Sequence, residues 1–274
     1  MRALGWRRDR PDPRDKLFSA RLASLGRRAS TAATISLRSF ISSILDQGDL
    51  PACVAHAGFQ AIRGSHIRQL SENMPISQAR LRAMLGSRHY GHYFARAFYH
   101  ETYDNVGTEL RLFFKACADW GFPPEELWPY DDDTSPGAHF TREPSKEAQR
   151  AAFDQKGTVA YHRIGELGDA RLDAIDQALS HGFMVTHGCM VTEAFCENRL
   201  DPLRPLPPPG PGDIIAGGHA MVLVGRTPDG YDECNSWNDS FGAGGYYLAS
   251  PEYVKTFEDL WAVETVPLYS EDPS

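Results

Sequence analysis

The sequence predicts an α+β fold, in which a mainly helical half precedes a half that is rich in strands. Residues 53–62 are almost wholly apolar, a composition that fits a helix buried on most of its sides. Further helices are predicted at about 77–100 and 107–120, and in the second of these large apolar residues recur at helical spacing. The pattern then changes, and short apolar runs predict strands at 183–186, 220–224 and 245–248.

The composition is that of an ordinary globular chain. Its 274 residues, 42% of them hydrophobic and 23% charged, are enough for one large domain or two lobes with a real core. We expect a basic N-terminal arm at residues 1–38, a helical lobe at 39–155 and a β-rich lobe at 156–274. No apolar run approaches the roughly 20 residues of a membrane helix, and the N-terminus lacks the apolar stretch of a secretory signal. We therefore expect a cytoplasmic protein with no membrane partner, and export by a signal-less route stays open.

The charge is unevenly distributed along the chain. Residues 1–38 hold ten basic and three acidic residues, a net charge of +7, whereas the whole chain carries −8. Such a basic arm either folds back onto the acidic body or reaches another acidic surface. Aromatic residues are not interleaved with the basic ones as in single-stranded nucleic-acid binders, so no nucleic-acid partner is expected. Within the arm, residues 19–35 are predicted to form a flexible connection or a short helix.

Two motifs that are far apart in the sequence carry the chemistry. Gln47 lies six residues before Cys53, and His219 lies sixteen residues before Asn235, which begins an Asn-Ser-Trp tripeptide. A thiol, an imidazole, an amide that orients the imidazole and a second amide beside the thiol make one acyl-transfer site. Each residue alone has a structural explanation, such as an inert buried cysteine, but the set of roles is much more specific than any single member.

In order, spacing and local sequence, these motifs resemble the papain family of cysteine peptidases, over about residues 40–265. The resemblance implies a papain-like two-lobe fold, with a helical lobe, an antiparallel β-barrel-like lobe and an active site in the cleft between them. It indicates the bacterial type, because the arm contains no long helical propeptide of the plant and lysosomal kind.

The resemblance also assigns roles at the site. It implies that Cys53 is the nucleophile, activated at a helix N-terminus, and that His219 is the base that pairs with it. Asn235 would fix the tautomer of the histidine, and the indole of Trp237 would shield that hydrogen bond from water. The amide of Gln47 would stabilise the oxyanion together with the backbone N–H of Cys53. The mechanism requires no metal and no organic cofactor.

The sequence departs from the usual family pattern around the nucleophile. Val54 replaces a large aromatic residue, and His56 stands where many members have Phe. We interpret His56 as a core or supporting histidine rather than a catalytic one. The glycine-rich segment that usually pairs with the substrate backbone is not evident, and Gly107 and Gly218 are the predicted substrate-binding residues. These departures bear on substrate specificity more than on the chemistry.

The predicted function is a cysteine peptidase that hydrolyses a peptide or protein substrate through a thioester acyl-enzyme. The alternatives are a thiol-dependent deamidase or transpeptidase, which would use the same residues, and a non-catalytic papain-like binding module. The arm is an intramolecular partner that either lies across the cleft and restrains access or only braces the β-rich lobe. Five cysteines leave at least one thiol free. A Cys189–Cys196 disulfide is open, and two reduced thiols are the alternative that a reducing compartment favours.

Overall fold

The computed structural model describes residues 2–28 and 34–266. Parts of two predicted segments, the arm connection at 19–35 and the C-terminal end of the β-rich lobe, lie outside the described residues. Within those residues, helices dominate up to about residue 153 and strands dominate afterwards. The predicted α+β class is therefore confirmed.

Most of the helices lie in the first half. They are α1 (Phe18–Leu25), α2 (Cys53–Leu70), α3 (Ile76–Arg82), α4 (Arg88–Ala97), α5 (Leu110–Trp120) and α6 (Lys146–Phe153). Three more lie in the second half, namely α7 (Gly168–Ser180), α8 (Glu193–Cys196) and α9 (Pro251–Val254). In the described part of the chain, no helix combines the length and the apolar character needed to cross a membrane.

The second half contributes six of the seven strands of one antiparallel sheet. These six are β4 (Val159–Ile164), β5 (Met184–Thr192), β6 (Ile215–Thr227), β7 (Gly230–Cys234), β8 (Tyr246–Ala249) and β9 (Glu258–Thr265). Their order is β4-β9-β5-β6-β7-β8, and the short strand β2 (Ile35–Ser36) pairs with β6. Two further short strands, β1 (Trp6–Arg7) and β3 (Thr108–Glu109), form a separate parallel pair. The described strands of the main sheet thus form an open path rather than a closed barrel.

The long helix α2 connects the two halves. It packs against α4 and α5 on the helical side and against β6 and β9 of the sheet. Its Phe59 is fully buried and meets the ring of Phe113 in α5 edge to face, with centroids 5.0 Å apart. A buried Phe contributes about 3–5 kcal/mol by comparison with Ala. The first residue of α2 is therefore held rigidly at the junction between helices and sheet.

The structure differs from the sequence predictions in several places, and two of them concern the elements around the site. The single helix predicted at 77–100 is two helices, because the side chain of Ser87 accepts the N–H of Tyr90 and starts α4 as an N-cap. Strands β4 and β9 were not predicted, and β4 contains His162 and Arg163, which do not fit a simple apolar pattern. Such polar residues are tolerated there because Arg163 pairs with carboxylates of neighbouring segments.

Candidate active site

Cys53 is the first residue of α2 and is fully buried. Its thiol therefore lies at a helix N-terminus, where the partial positive charge favours an anion. Two further backbone N–H groups act on the sulfur, that of Ala220 in β6 and that of Gly5 near the N-terminus of the chain. Because Ala220 directly follows His219, the fold places the backbone of the histidine strand beside the thiol.

His219 is fixed by the Asn-Ser-Trp tripeptide. Its Nε2 lies 2.8 Å from Oδ1 of Asn235, and its ring stacks on the fully buried Trp237 with centroids 4.3 Å apart. Nε2 must carry the proton of this hydrogen bond, because an amide oxygen only accepts. Nδ1 then keeps its lone pair, and among the described residues it is buried without a hydrogen-bond partner. A free imidazole lone pair beside a thiol is what a general base requires.

Gln47 is buried, and both ends of its amide are engaged. Its Oε1 accepts a hydrogen bond of 2.8 Å from Oγ of Ser236. Its Nε2 donates to the carbonyl oxygens of Leu50 and Ala3, at 3.0 Å each. Because Ser236 lies inside the Asn-Ser-Trp tripeptide, the segment that orients the histidine also orients this amide. The carbonyl of Ala3 takes up the donor that the predicted oxyanion would use.

Ala3 and Gly5 belong to a segment of the N-terminal arm, residues 3–10, which we call the strap. The strap pairs with the protein body through β1 and β3, and the N–H of Thr108 donates to the carbonyl of Gly5 at 2.8 Å. The two backbones approach so closely that a Cβ on Gly107 would lie 1.7 Å from the oxygen of Gly5. Only glycine, which has no Cβ, can occupy position 107 at this contact. The predicted substrate-binding residue Gly107 therefore contacts the strap.

The side chain of Trp6 lies between two glycines of the sheet. A Cβ on Gly188 of β5 would lie 1.9 Å from Cε2 of the indole, and a Cβ on Gly218 of β6 would lie 2.7 Å from Cε3. Gly188 pairs with Ala220, and Gly218 directly precedes His219. The second predicted substrate-binding residue, Gly218, thus also contacts the strap.

Buried charges hold the C-terminal end of the strap. The N–H of Asp9 donates to Asp259 at 2.6 Å, and its carboxylate accepts from the indole of Trp261 at 2.9 Å and from the N–H of Arg111 at 3.1 Å. Arg163 lies 3.8 Å from Asp9 and 3.4 Å from Asp259. Burial, and then the charge of Asp259, raise the pKa of Asp9 to about 7, and burial also raises the pKa of Asp259. Docking of the strap is therefore coupled to proton uptake.

Burial sets the electrostatics of the reactive pair. Burial raises the pKa of the Cys53 thiol to about 11, against the backbone N–H groups that favour its anion. Burial likewise lowers the pKa of His219 to about 4, against the hydrogen bond to Asn235. Both shifts favour a neutral thiol and a neutral imidazole. In this state the thiolate nucleophile is not formed.

The structure brings the predicted catalytic set into one site and leaves its roles as predictions. The five residues gathered there are Gln47, Cys53, His219, Asn235 and Trp237. His56 is fully buried, and its ring nitrogens contact the carbonyl oxygens of Ala52 at 2.9 Å and Asp46 at 3.1 Å. These contacts fit the interpretation of His56 as a core residue.

Sequence reasoning missed three residues of the site region. Ser236 could have been found from its place between two predicted site residues. Gly188 lies between His187 and Cys189 on a strand, where a glycine signals a close approach. Asp259 carried no sequence signal, because only the fold brings it to the strap.

In the described part of the chain, one group of side chains has ligand atoms close enough for a metal. His89, Asp131 and His139 place one such atom each within 4.8 Å of the others. However, Nε2 of His89 already accepts the backbone N–H of Asp131 at 3.0 Å. A second buried histidine, His187, also has another partner, because its Nε2 lies 3.0 Å from Glu233. We assign no metal to either place.

The five cysteines are all buried and free. The possible Cys189–Cys196 disulfide is therefore not formed. Burial raises the pKa of both thiols, which fits inert core residues.

Comparisons with known proteins agree with this geometry. No family model matches the chain. An uncharacterized peptidase C1-like protein of Acanthamoeba polyphaga mimivirus is 26% identical, with 97% of this chain and 88% of the relative covered. Xylellain, a cysteine protease from Xylella fastidiosa, has a similar structure with a TM-score of 0.81 at 25% identity, and 97% of each chain is covered.

More distant structures share the fold. Procathepsin B from Trypanosoma congolense gives a TM-score of 0.65 at 12% identity, with 97% of this chain and 87% of that chain covered. A cysteine protease of Carica candamarcensis gives 0.57 at 17% identity, with 86% and 100% covered. The fold, the peptidase C1-like relative and the likeness to xylellain together support a papain-family cysteine peptidase.

Proposed function

We propose that the chain hydrolyses peptide bonds with Cys53 as nucleophile and that the strap holds it in a latent form. The observation that carries the chemistry is the geometry of His219. One ring nitrogen is bound by Asn235 at 2.8 Å, and the other is buried without a hydrogen-bond partner, on the residue that precedes Ala220, whose N–H acts on the thiol at the N-terminus of α2. This arrangement prepares one proton acceptor for one thiol.

The reaction proceeds in two halves. His219 takes the thiol proton, and the sulfur of Cys53 attacks the peptide carbonyl carbon to give a tetrahedral oxyanion. The C–N bond breaks, the imidazolium gives its proton to the leaving amine, and a thioester remains. A water molecule, deprotonated by His219, then attacks the thioester, and the carboxylic acid leaves as the thiol is restored.

The amide of Gln47 and the backbone N–H of Cys53 stabilise the oxyanion in both halves. A single donor of this kind contributes about 2.7–4 kcal/mol to transition-state stabilisation. Ser236 keeps the amide of Gln47 in orientation by donating to its oxygen. The same amide binds the carbonyl of Ala3, so substrate and strap compete for one donor.

Latency follows from the position of the strap. The carbonyl of Ala3 binds the oxyanion donor, the backbone of Gly5 contacts the thiol, and the paired β1 and β3 cover Gly107. The basic arm folds onto the acidic body, with Arg7 2.6 Å from Glu101 and Arg8 2.7 Å from Glu258. A substrate backbone cannot enter until these residues leave.

The test is a full-length variant in which the strap cannot dock. In Gly5→Val, the added Cβ would lie 1.9 Å from the carbonyl oxygen of Pro51, so the strap is displaced. We expect Gly5→Val to cleave a fluorogenic peptide mixture at least about tenfold faster than the natural chain. A loss of about 1.4 kcal/mol in the docking free energy of the strap raises the population of the released form tenfold. The double variant Gly5→Val/Cys53→Ala should show no cleavage.

A matched control separates release of the strap from a general effect of Gly→Val. Gly165 is exposed, and an added Cβ would meet only Leu17 at 3.9 Å. Gly165→Val should stay as slow as the natural chain. A folded Gly5→Val that labels at Cys53 but cleaves no peptide would favour deamidase or transpeptidase chemistry. A folded form that neither labels nor cleaves would favour the binding module.

A further inference from the structure

The loop of residues 46–52, which we call the oxyanion loop, separates the two proposed oxyanion donors. Gln47 lies near its start, and Ala52 at its end directly precedes Cys53. The distance between the amide of Gln47 and the backbone N–H of Cys53 therefore depends on the shape of this loop. Because a displacement of about 1 Å at a reacting centre can reduce a rate about 10²-fold, the contacts that fix the loop bear on turnover.

The buried ring of His56 bridges the two ends of the oxyanion loop. Its Nδ1 lies 2.9 Å from the carbonyl oxygen of Ala52, and its Nε2 lies 3.1 Å from the carbonyl oxygen of Asp46. Burial, and then the charge of Arg88, lower the pKa of His56, so the ring is neutral. A neutral ring has one N–H and can donate to only one of the two carbonyls. The other carbonyl needs a donor from elsewhere.

Arg88, the first residue of α4, supplies that donor. Its Nη1 lies 3.2 Å from Nε2 of His56 and 3.4 Å from the carbonyl oxygen of Asp46. A guanidinium group only donates, so Nε2 of His56 accepts, and Nδ1 carries the proton that binds Ala52. Glu125 holds the guanidinium group, with its Oε1 2.6 Å from Nη2 and 3.2 Å from Nε. Both ends of the loop are thus tied to one mostly buried ion pair.

Tyr130 binds the backbone of Gln47 directly. Its hydroxyl donates to the carbonyl oxygen of Gln47 at 2.8 Å, and its own backbone N–H donates to Oε1 of Glu125 at 2.9 Å. The guanidinium group of Arg88 lies over its ring, 4.6 Å from the centroid, and the ring of His56 meets it edge to face at 4.6 Å. The same carboxylate therefore orients Arg88 and Tyr130 together.

We infer that His56, Arg88 and Tyr130 are positioning residues for the reaction, and that they hold the two oxyanion donors at the spacing that the transition state requires. This inference rests on the proposed peptidase function and adds residues to the same site. The three side chains act through Gln47 and the backbone N–H of Cys53. A role in packing alone predicts a loss of stability, whereas a positioning role predicts a loss of kcat that depends on Gln47.

The first test removes one oxygen atom from Tyr130 in full-length Gly5→Val. Gly5→Val/Tyr130→Phe should have a kcat about three- to tenfold below that of Gly5→Val, with KM nearly unchanged, because a hydrogen bond that orients an oxyanion donor is lost. Alkylation of the thiol forms no oxyanion and should hardly change. Gly5→Val/Tyr103→Phe, which removes a hydroxyl at an exposed position, is the control and should keep the kcat of Gly5→Val.

A double-mutant cycle shows whether Tyr130 acts through Gln47. In Gly5→Val/Gln47→Ala the oxyanion donor is already absent. Adding Tyr130→Phe to that variant should therefore lower kcat by less than about twofold, since two residues that act through one group are not additive. Equal factors with and without Gln47 would mean that Tyr130 only supports the fold.

The second test acts at both ends of the loop. Gly5→Val/His56→Phe keeps a ring in the helix but removes its hydrogen bonds, and kcat should fall about tenfold or more while alkylation falls far less. Gly5→Val/Arg88→Lys keeps a positive charge beside Glu125 but loses the fork, and should change kcat in the same direction. The control is Gly5→Val/His66→Phe, at a half-buried position of the same helix, which should keep the kcat of Gly5→Val.

The outcomes separate this inference from the function on which it rests. Unchanged kcat in folded Tyr130→Phe and His56→Phe forms of Gly5→Val, or parallel losses of kcat and alkylation, would overturn the inference while peptide cleavage by Gly5→Val stands. No cleavage of any peptide by Gly5→Val that labels at Cys53 would overturn the proposed function itself.

Discussion

Two regions of the N-terminal arm attach to the body in different ways. The strap is held by backbone pairing, glycine contacts and a group of buried charges, and its two apolar side chains, Leu4 and Trp6, are only partly buried against the core. Helix α1 instead contributes Phe18 and Leu22 to the main core, and Phe18 meets Phe183 edge to face with centroids 5.9 Å apart. The strap can therefore leave without loss of the core, whereas α1 cannot.

This difference changes how the arm must be tested. Deletion of residues 1–34 would remove Phe18 together with the strap, and the exposed core would obscure any effect on the cleft. A point variant such as Gly5→Val displaces only the strap. The arm of residues 1–38 is thus basic along its length, but its two parts, the strap and α1, attach to the body in different ways.

The largest expected effect is on stability. Phe18→Ala should lower the free energy of unfolding by about 3–5 kcal/mol, because it empties a fully buried position. Trp6→Ala should cost less, since the loss cannot exceed the docking free energy of the strap. Chemical denaturation of both variants measures this. Leu25→Ala, at an exposed position of the same helix, is the control. Equal losses of unfolding free energy in Trp6→Ala and Phe18→Ala would contradict the difference between the strap and α1.

The second effect is on turnover in the released enzyme. In the Gly5→Val background, Gln47→Ala should lower kcat about 10²–10³-fold, because one oxyanion donor is lost. Labelling of Cys53 by an alkylating agent, which forms no oxyanion, should fall far less. Parallel losses of labelling and turnover would mean that Gln47 supports the fold rather than the transition state.

The third effect is on pH dependence. The pKa of Asp9 rises from an ordinary value near 3.9 in the free strap to about 7 when docked, so docking takes up a proton between these values. Docking is therefore strongest in acid and weakens as the pH rises through 7. Asp9 faces the carboxyl of Asp259 and the guanidinium group of Arg163. The guanidinium group of Arg111 pairs with Asp15, and the charge of Glu258 also raises the pKa of Asp259.

The labelling rate of Cys53 measures this dependence. The labelling rate of the natural chain, divided by that of Gly5→Val, should rise between pH 6 and pH 8. The division removes the effect of thiol ionisation, because the variant reports that effect alone. Asp9→Asn removes the titrating group and should flatten the ratio. A ratio that is independent of pH in the natural chain would mean that the strap docks without a proton.

The smallest effect concerns the surface pairs of the strap. Arg7 and Glu101 are 2.6 Å apart but both partly exposed, and such pairs contribute about 0.2–1 kcal/mol. Arg7→Ala should raise the labelling rate by no more than about fivefold, and 1 M salt should reduce the difference. A larger increase would mean that surface charge, rather than the buried contacts, holds the strap in place.

Sequence reasoning reached the fold class, and it named the residues that the structure gathers in one place, because both depend on local patterns. The apolar run after Cys53 and the spacing of His219 and Asn235 are visible in one dimension. The contacts of the strap are not, because Gly5 meets Gly107 across more than 100 positions of sequence and Asp9 meets Asp259 across 250. Their residue types become informative only when the fold sets them against each other.

The most direct measurement is intact-mass labelling with an epoxysuccinyl thiol-peptidase inhibitor, on the natural chain and on Gly5→Val. The account predicts one adduct in Gly5→Val, lost in Gly5→Val/Cys53→Ala, and labelling at least about tenfold slower in the natural chain. Equal and rapid labelling of the natural chain and Gly5→Val would contradict it, because Cys53 would then be accessible with the strap in place.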